Sequence, residues 1–142
     1  MFLPLWLHIW SHIIASRLYS DSRPFLERIS SRHEVVLISD TIDEIARGIA
    51  RYHGIHRYFH AIVATHSYGL SKPDPRIVDI ALELLEARSR ENIVVIGDSV
   101  KDYELAKNAG ARFIAVARDE ETRKKLSNLG VEIVSSLNEI LL

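Results

Sequence analysis

Between Ser22 and Leu142 the chain switches repeatedly between two periods, and that alternation leaves few folds open. Residues 34–38, 61–65, 92–97, 113–116 and 131–134 are short apolar runs without a polar alternate face, which reads as strands buried on both sides. Helical spacing fills the intervals. Ser22 caps a first helix with Pro24 in its opening turn and Phe25, Leu26 and Ile29 on one face. A second carries Ile42, Ile45, Ala46 and Ile49. Asp74 and Pro75 open a third through Ile77, Ile80, Ala81, Leu84 and Leu85, with proline at the favoured first position. Val100 to Asn108 is a fourth, stopped by Gly110, residues 119–129 are a fifth, and Ser135 caps a short last one. Strands buried on both faces and separated by helices of about ten residues specify a doubly wound parallel α/β sheet. No internal repeat or linker interrupts the 142 residues, so a single domain over 1–142 is expected.

Residues 1–20 break the pattern. Their only charged side chain is Arg17, and both tryptophans, Trp6 and Trp10, lie there. Pro4, His8, Ser11, His12 and Ser16 interrupt the apolar run before it reaches the roughly 20 residues a membrane span needs. No basic stretch precedes it, as a signal peptide would require. A buried central strand followed by a turn is the expectation, with Leu5, Trp6 and Leu7 in the strand. Leu3, Trp6, Leu7, Trp10, Ile13 and Ile14 also recur at helical spacing, so a helix stays open. A net charge of −1 gives no basic excess for nucleic acid, and the absence of cysteine removes thiolate chemistry and suits a reducing compartment such as the cytoplasm.

In parallel sheets of this kind ligands bind beyond the carboxyl ends of the strands. Asp98 directly follows the run 92–97, and Asp102 lies in the first turn of the next helix. Two carboxylates at a helix N-terminus suit Mg²⁺, which takes oxygen ligands and keeps several waters. Gly97 frees the backbone there for a close approach. Asp98 could equally be a plain helix cap with Asp102 a surface charge. Lys72, in Ser71-Lys72-Pro73-Asp74-Pro75, is stiffened by the prolines after it and could hold a phosphate, or be a solvated loop lysine. Ser39 and Asp40 end the run 34–38 and could meet a phosphoryl oxygen or simply cap a helix. His53, His56, His60 and His66 do not share a helical face, because Gly54 and Tyr58-Phe59 interrupt it, so they are read as surface or capping residues.

Taken in order, these segments resemble the haloacid dehalogenase-like superfamily, over roughly residues 22–142. Ser39 resembles its second motif, Ser71-Lys72-Pro73-Asp74-Pro75 its third, and Ile96-Gly97-Asp98-Ser99-Val100-Lys101-Asp102 with Ala106-Lys107-Asn108-Ala109-Gly110-Ala111 its fourth. The resemblance implies a Rossmann-like core and Mg²⁺-dependent hydrolysis of small phosphate esters. Lys72 and Asp98 are then catalytic, Ser39, Asp40 and Lys72 phosphate-binding, and Asp98 and Asp102 metal-binding.

One departure bears on function. The family's first motif is Asp-x-Asp-Gly-Thr, whose first Asp attacks phosphorus and whose second is general acid and base. This sequence contains no Asp-x-Asp. If Leu5-Trp6-Leu7 is the corresponding strand, His8 occupies the nucleophile position and Trp10 that of the acid. An imidazole offers Mg²⁺ no oxygen, and an indole neither gives nor takes a proton at neutral pH. The stretch from Ser16 to Pro24 is too short for a helical cap, so a capless core is expected. Three readings follow: a family member with impaired catalysis and a weakened Mg²⁺ site; a phospho-ligand-binding or partner-binding module, with self-association through the N-terminal aromatic segment; and an active phosphohydrolase whose nucleophile is unconventional or lies upstream. The expected ligand is a small phosphorylated molecule, with neither nucleic acid nor membrane as a partner.

Overall fold

A computed structural model of the protein describes residues 16–86 and 91–142. It is an α/β structure whose paired strands are all parallel among the described residues. The chain divides into two compact units, Met1–Leu70 and Ser71–Leu142. The segment holding Trp6, His8 and Trp10, and with it the choice between strand and helix there, lies outside the described residues.

The first unit contains α1 (Ser22–Ser30), β1 (Val36–Ser39), α2 (Asp43–Tyr52) and β2 (Ala61–Ala64), with 3₁₀ turns at His56–Tyr58 and Thr65–Tyr68. β1 and β2 pair in register from Val36 opposite Ala61 to Ser39 opposite Ala64. Leu26 of α1, Ala46 and Ala50 of α2, Ile55, and Ile62 and Ala64 of β2 form one apolar cluster. Small residues on α2 let the helix approach the strands closely. Arg23 donates to the carbonyls of His53 and Gly54, tying the start of α1 to the loop after α2. Between residue 16 and β1, α1 is the one helix, and no helical cap is inserted there.

The second unit contains α3 (Arg76–Leu84), β3 (Val94–Gly97), α4 (Val100–Ala109), β4 (Arg112–Val116), α5 (Glu120–Ser127) and β5 (Glu132–Val134), with a 3₁₀ turn at Leu137–Glu139. The strands lie in the order β3-β4-β5. Ala106, Phe113, Ala115 and Leu126 cluster on one side of this sheet, with the Tyr103 and Phe113 rings edge to face at 5.8 Å. Gly110 takes φ +69° and closes α4 in the left-handed conformation that favours glycine.

Several boundaries differ from expectation. Ser22 is the first helical residue rather than the cap; Asp21 precedes it and makes no side-chain cap bond. β1 starts at Val36 rather than residue 34, since the Val35 amide is taken by the His60 ring at 2.9 Å. β3 starts at Val94, because Asn92 sits at φ +63°, outside the extended region. Pro75 is the cap of α3, not its first residue, and the Asp74 carboxylate accepts from the Arg76 amide at 2.9 Å. Ser136, not Ser135, caps the last turn, because only Ser136 stands three residues before Glu139 and so completes a reciprocal capping box. Among the described residues no helix is long and apolar enough to cross a membrane.

Candidate active site

The best-defined chemical cluster lies where β3 runs into α4. Ser99 caps α4 through its hydroxyl, which accepts from the Asp102 amide at 3.1 Å. The Asp102 carboxylate turns back. Its Oδ2 accepts from the amides of Asp98 at 3.1 Å and Ser99 at 3.2 Å, and from the Ser99 hydroxyl at 2.8 Å. Its other oxygen, Oδ1, accepts from Lys72 Nζ at 2.7 Å. Asp102 is buried, and Lys72 keeps 18% of its side-chain surface accessible. The lysine and this carboxylate, 30 residues apart, are therefore held together in a largely desolvated contact, where charge-assisted bonds are strong.

The backbone at Gly97 explains why no larger residue stands there. A Cβ at that position would lie within 2.5 Å of the Asp102 Cβ and Cγ. The close approach that Gly97 permits in this structure is to Asp102. Upstream, Pro73 follows Lys72 across a cis peptide bond, and Asn108 of α4 donates to the Pro73 carbonyl at 3.1 Å. At the loop's far end, Arg76 pairs with Asp74 at 2.7 Å and holds that carboxyl below its usual range, chiefly through the side-chain hydrogen bond.

Asp98 stands apart from this network. Its side chain is exposed and makes no hydrogen bond or ion pair with any described residue. It is not the helix cap; Ser99 fills that role. The donor set therefore fits Mg²⁺ in a restricted way. Asp98 supplies an unencumbered carboxylate, whereas both oxygens of Asp102 are engaged by protein donors. Mg²⁺ commonly takes one or two carboxylates together with waters and phosphate oxygens, so a single protein carboxylate is compatible with it. Among the described residues no group of three or more histidine, aspartate or glutamate side chains converges on one point.

Ser39 and Asp40 belong to the first unit. Ser39 ends β1, and the turn that follows closes with the Thr41 amide on the Ser39 carbonyl at 2.9 Å. Neither residue caps α2: the cap position is Ile42, with no side-chain bond. Asp40 Oδ1 instead accepts from the hydroxyl of Thr65, a fully buried residue at the end of β2, at 2.7 Å. Of the histidines, His53 is bonded to Ser16 at 2.9 Å and His60 to the Val35 amide. His8 lies outside the described residues. Sequence reasoning missed Ser99, Thr65 and Asn108. The spacing of Ser99 to Asp102 resembles a capping box and could have revealed the first; nothing local marks the other two.

In parallel α/β folds the carboxyl end of a strand is the edge where ligands bind, and here it carries carboxylates and an anchored lysine. Residues 6–110 match the family model for haloacid dehalogenase-like hydrolases, and the chain belongs to that family. A pyrophosphatase of Listeria welshimeri, PpaX, is 35% identical over 75 residues, which cover 53% of this chain and 34% of the relative. A phosphoglycolate phosphatase of Aquifex aeolicus is 27% identical over 101 residues, covering 70% and 47% respectively. The chain thus matches half or less of the length of these curated relatives. A crystal structure of a hydrolase of the same superfamily from Ehrlichia chaffeensis superposes with a TM-score of 0.71 at 22% identity, over 87% of this chain and 55% of that one, a likeness of fold.

Proposed function

We propose that this chain binds small phosphate esters through a haloacid dehalogenase-like core and that hydrolysis by the chain itself is impaired. The reading rests on one observation above the others: an exposed Asp98 carboxylate that bonds to no described residue, just before the helix whose Asp102 holds Lys72 at 2.7 Å. A phosphate monoester brings two negative charges. Lys72 counters part of that charge, and the Asp102 contact holds its ammonium in place rather than leaving it to sample solvent. Ser39 offers a hydroxyl donor at the end of β1. Asp98 would hold Mg²⁺, which when bound neutralises phosphoryl charge and orients a phosphate oxygen. The sequence supports impairment because no Asp-x-Asp occurs in it, and the family's covalent route requires a carboxylate nucleophile.

The test pairs binding with turnover. Mg²⁺ binding by calorimetry and Mg²⁺-dependent hydrolysis of an aryl phosphate are measured for the wild-type chain, Asp98→Asn and Lys72→Ala. Mg²⁺ binding that Asp98→Asn removes, with no turnover in any protein, is the expected result. Turnover lost in both variants would overturn the impairment. Mg²⁺ binding indifferent to Asp98→Asn would overturn the metal assignment.

A further inference from the structure

Three consecutive residues after β2 each grip the turn after β1. The Thr65 hydroxyl donates to Asp40 Oδ1 at 2.7 Å, the His66 amide donates to the Thr41 carbonyl at 3.0 Å, and the Ser67 hydroxyl accepts from the Asp43 amide at 2.8 Å. Thr65 is the revealing member. It is fully buried directly after an apolar strand, where valine would fill the same space. A buried hydroxyl is costly unless it is bonded, and this one reaches a carboxylate rather than a neighbouring backbone group. β1 and β2 alone fix Ser39 only through the strand pairing with Ala64. The chain leaves Ser39 through the turn closed by the Thr41 amide, and the three links beyond it tie that turn to the segment after β2.

We propose that Thr65, assisted by His66 and Ser67, is the positioning element for the Ser39–Asp40 phosphate loop, an assignment that rests on the phosphate reading above. Thr65 is fully buried and acts through Asp40 rather than at the surface. By anchoring the Asp40 carboxylate it fixes the turn that presents the Ser39 hydroxyl. The contact asks for a hydroxyl on Thr65 and not for its methyl group, which separates positioning from packing.

The probe is inorganic phosphate, its affinity measured by calorimetry, with urea unfolding of each protein beside it. Thr65→Val is expected to weaken phosphate binding by about 10- to 100-fold, the loss seen when a residue that orients a metal ligand is removed. Thr65→Ser is expected to restore binding. In the Ser39→Ala background, Thr65→Val should add little, because its effect passes through Ser39. Ser67→Ala, at an exposed position, provides a second reading if Thr65→Val does not fold, with a several-fold loss expected. Wild-type affinity in Thr65→Val, or in Ser67→Ala where that variant decides, would overturn the positioning role and leave the phosphate site standing. Full additivity with Ser39→Ala would overturn it too. No phosphate binding by the wild-type chain would overturn the phosphate reading, and this inference with it.

Discussion

The Lys72–Asp102 contact should behave as a strongly coupled pair, and a double-mutant cycle measures that directly. The perturbations are Lys72→Met, Asp102→Asn and both together. At 2.7 Å, with 18% and 11% of the two side chains accessible, the charges interact in a medium far less screening than water. An effective dielectric constant near 20 gives attractions of about 4 kcal/mol even at 4 Å. Desolvation of both groups offsets much of that, and hydrogen bonds to charged partners contribute about 1.5–3 kcal/mol net. A coupling energy of about 2 kcal/mol is therefore expected, against about 0.2–1 kcal/mol for exposed pairs. Asp102→Asn alone should cost about 3 kcal/mol, because it removes the carboxylate charge that Lys72 meets at 2.7 Å and its amide group competes for the same donors. Lys72→Met should cost less, since Asp102 keeps the amides of Asp98 and Ser99 and the Ser99 hydroxyl. Urea unfolding followed by far-ultraviolet circular dichroism yields all four stabilities. A coupling below about 0.5 kcal/mol would place the pair with ordinary surface ion pairs and refute the reasoning.

Gly97→Ala should destabilise the protein by about 2 kcal/mol, as overpacking a close contact does, and wild-type stability in urea would show that Asp102 can move aside freely. Asn108→Ala should cost about 1 kcal/mol and lower the Lys72–Asp102 coupling, since its bond to the Pro73 carbonyl steadies the residue next to Lys72; an unchanged coupling would separate the two. The Asp119 carboxyl is held below its ordinary value of 3.8, first by the hydrogen bond from the Thr122 amide. Its contribution to stability is present above the unfolded value and is lost as pH falls through the lower folded value. Asp119→Asn should accordingly flatten the acid limb of the stability curve below about pH 4, and an unaltered acid limb would contradict this.

The strand cores were legible because an apolar run without alternation has one stable use in a chain with intervening helices. Each of the runs at 34–38, 61–65, 92–97, 113–116 and 131–134 overlaps an observed strand, although β1 continues to Ser39 and β4 begins at Arg112. Their ends were not legible, since side chains compete with the ladder there: His60 captures the Val35 amide, and Asn92 turns into the left-handed region. The site divides in the same way. Lys72, Asp98 and Asp102 stood out by residue type and position, but their roles depended on contacts distant in sequence. Only the folded loop shows that Lys72 meets Asp102 and leaves Asp98 unengaged. The Thr65–Asp40 bond joins residues 25 apart, and no spacing rule points to it.

Because one oxygen of Asp102 secures the first turn of α4 and the other secures Lys72, the lysine's reactivity reports on the helix. Opening that turn releases the amides of Asp98 and Ser99 to deuterium and, in the same event, withdraws the Asp102 carboxylate from the Lys72 amine, raising its rate of acylation. Isotope exchange at two backbone positions and chemical labelling at one side chain then share a single opening equilibrium.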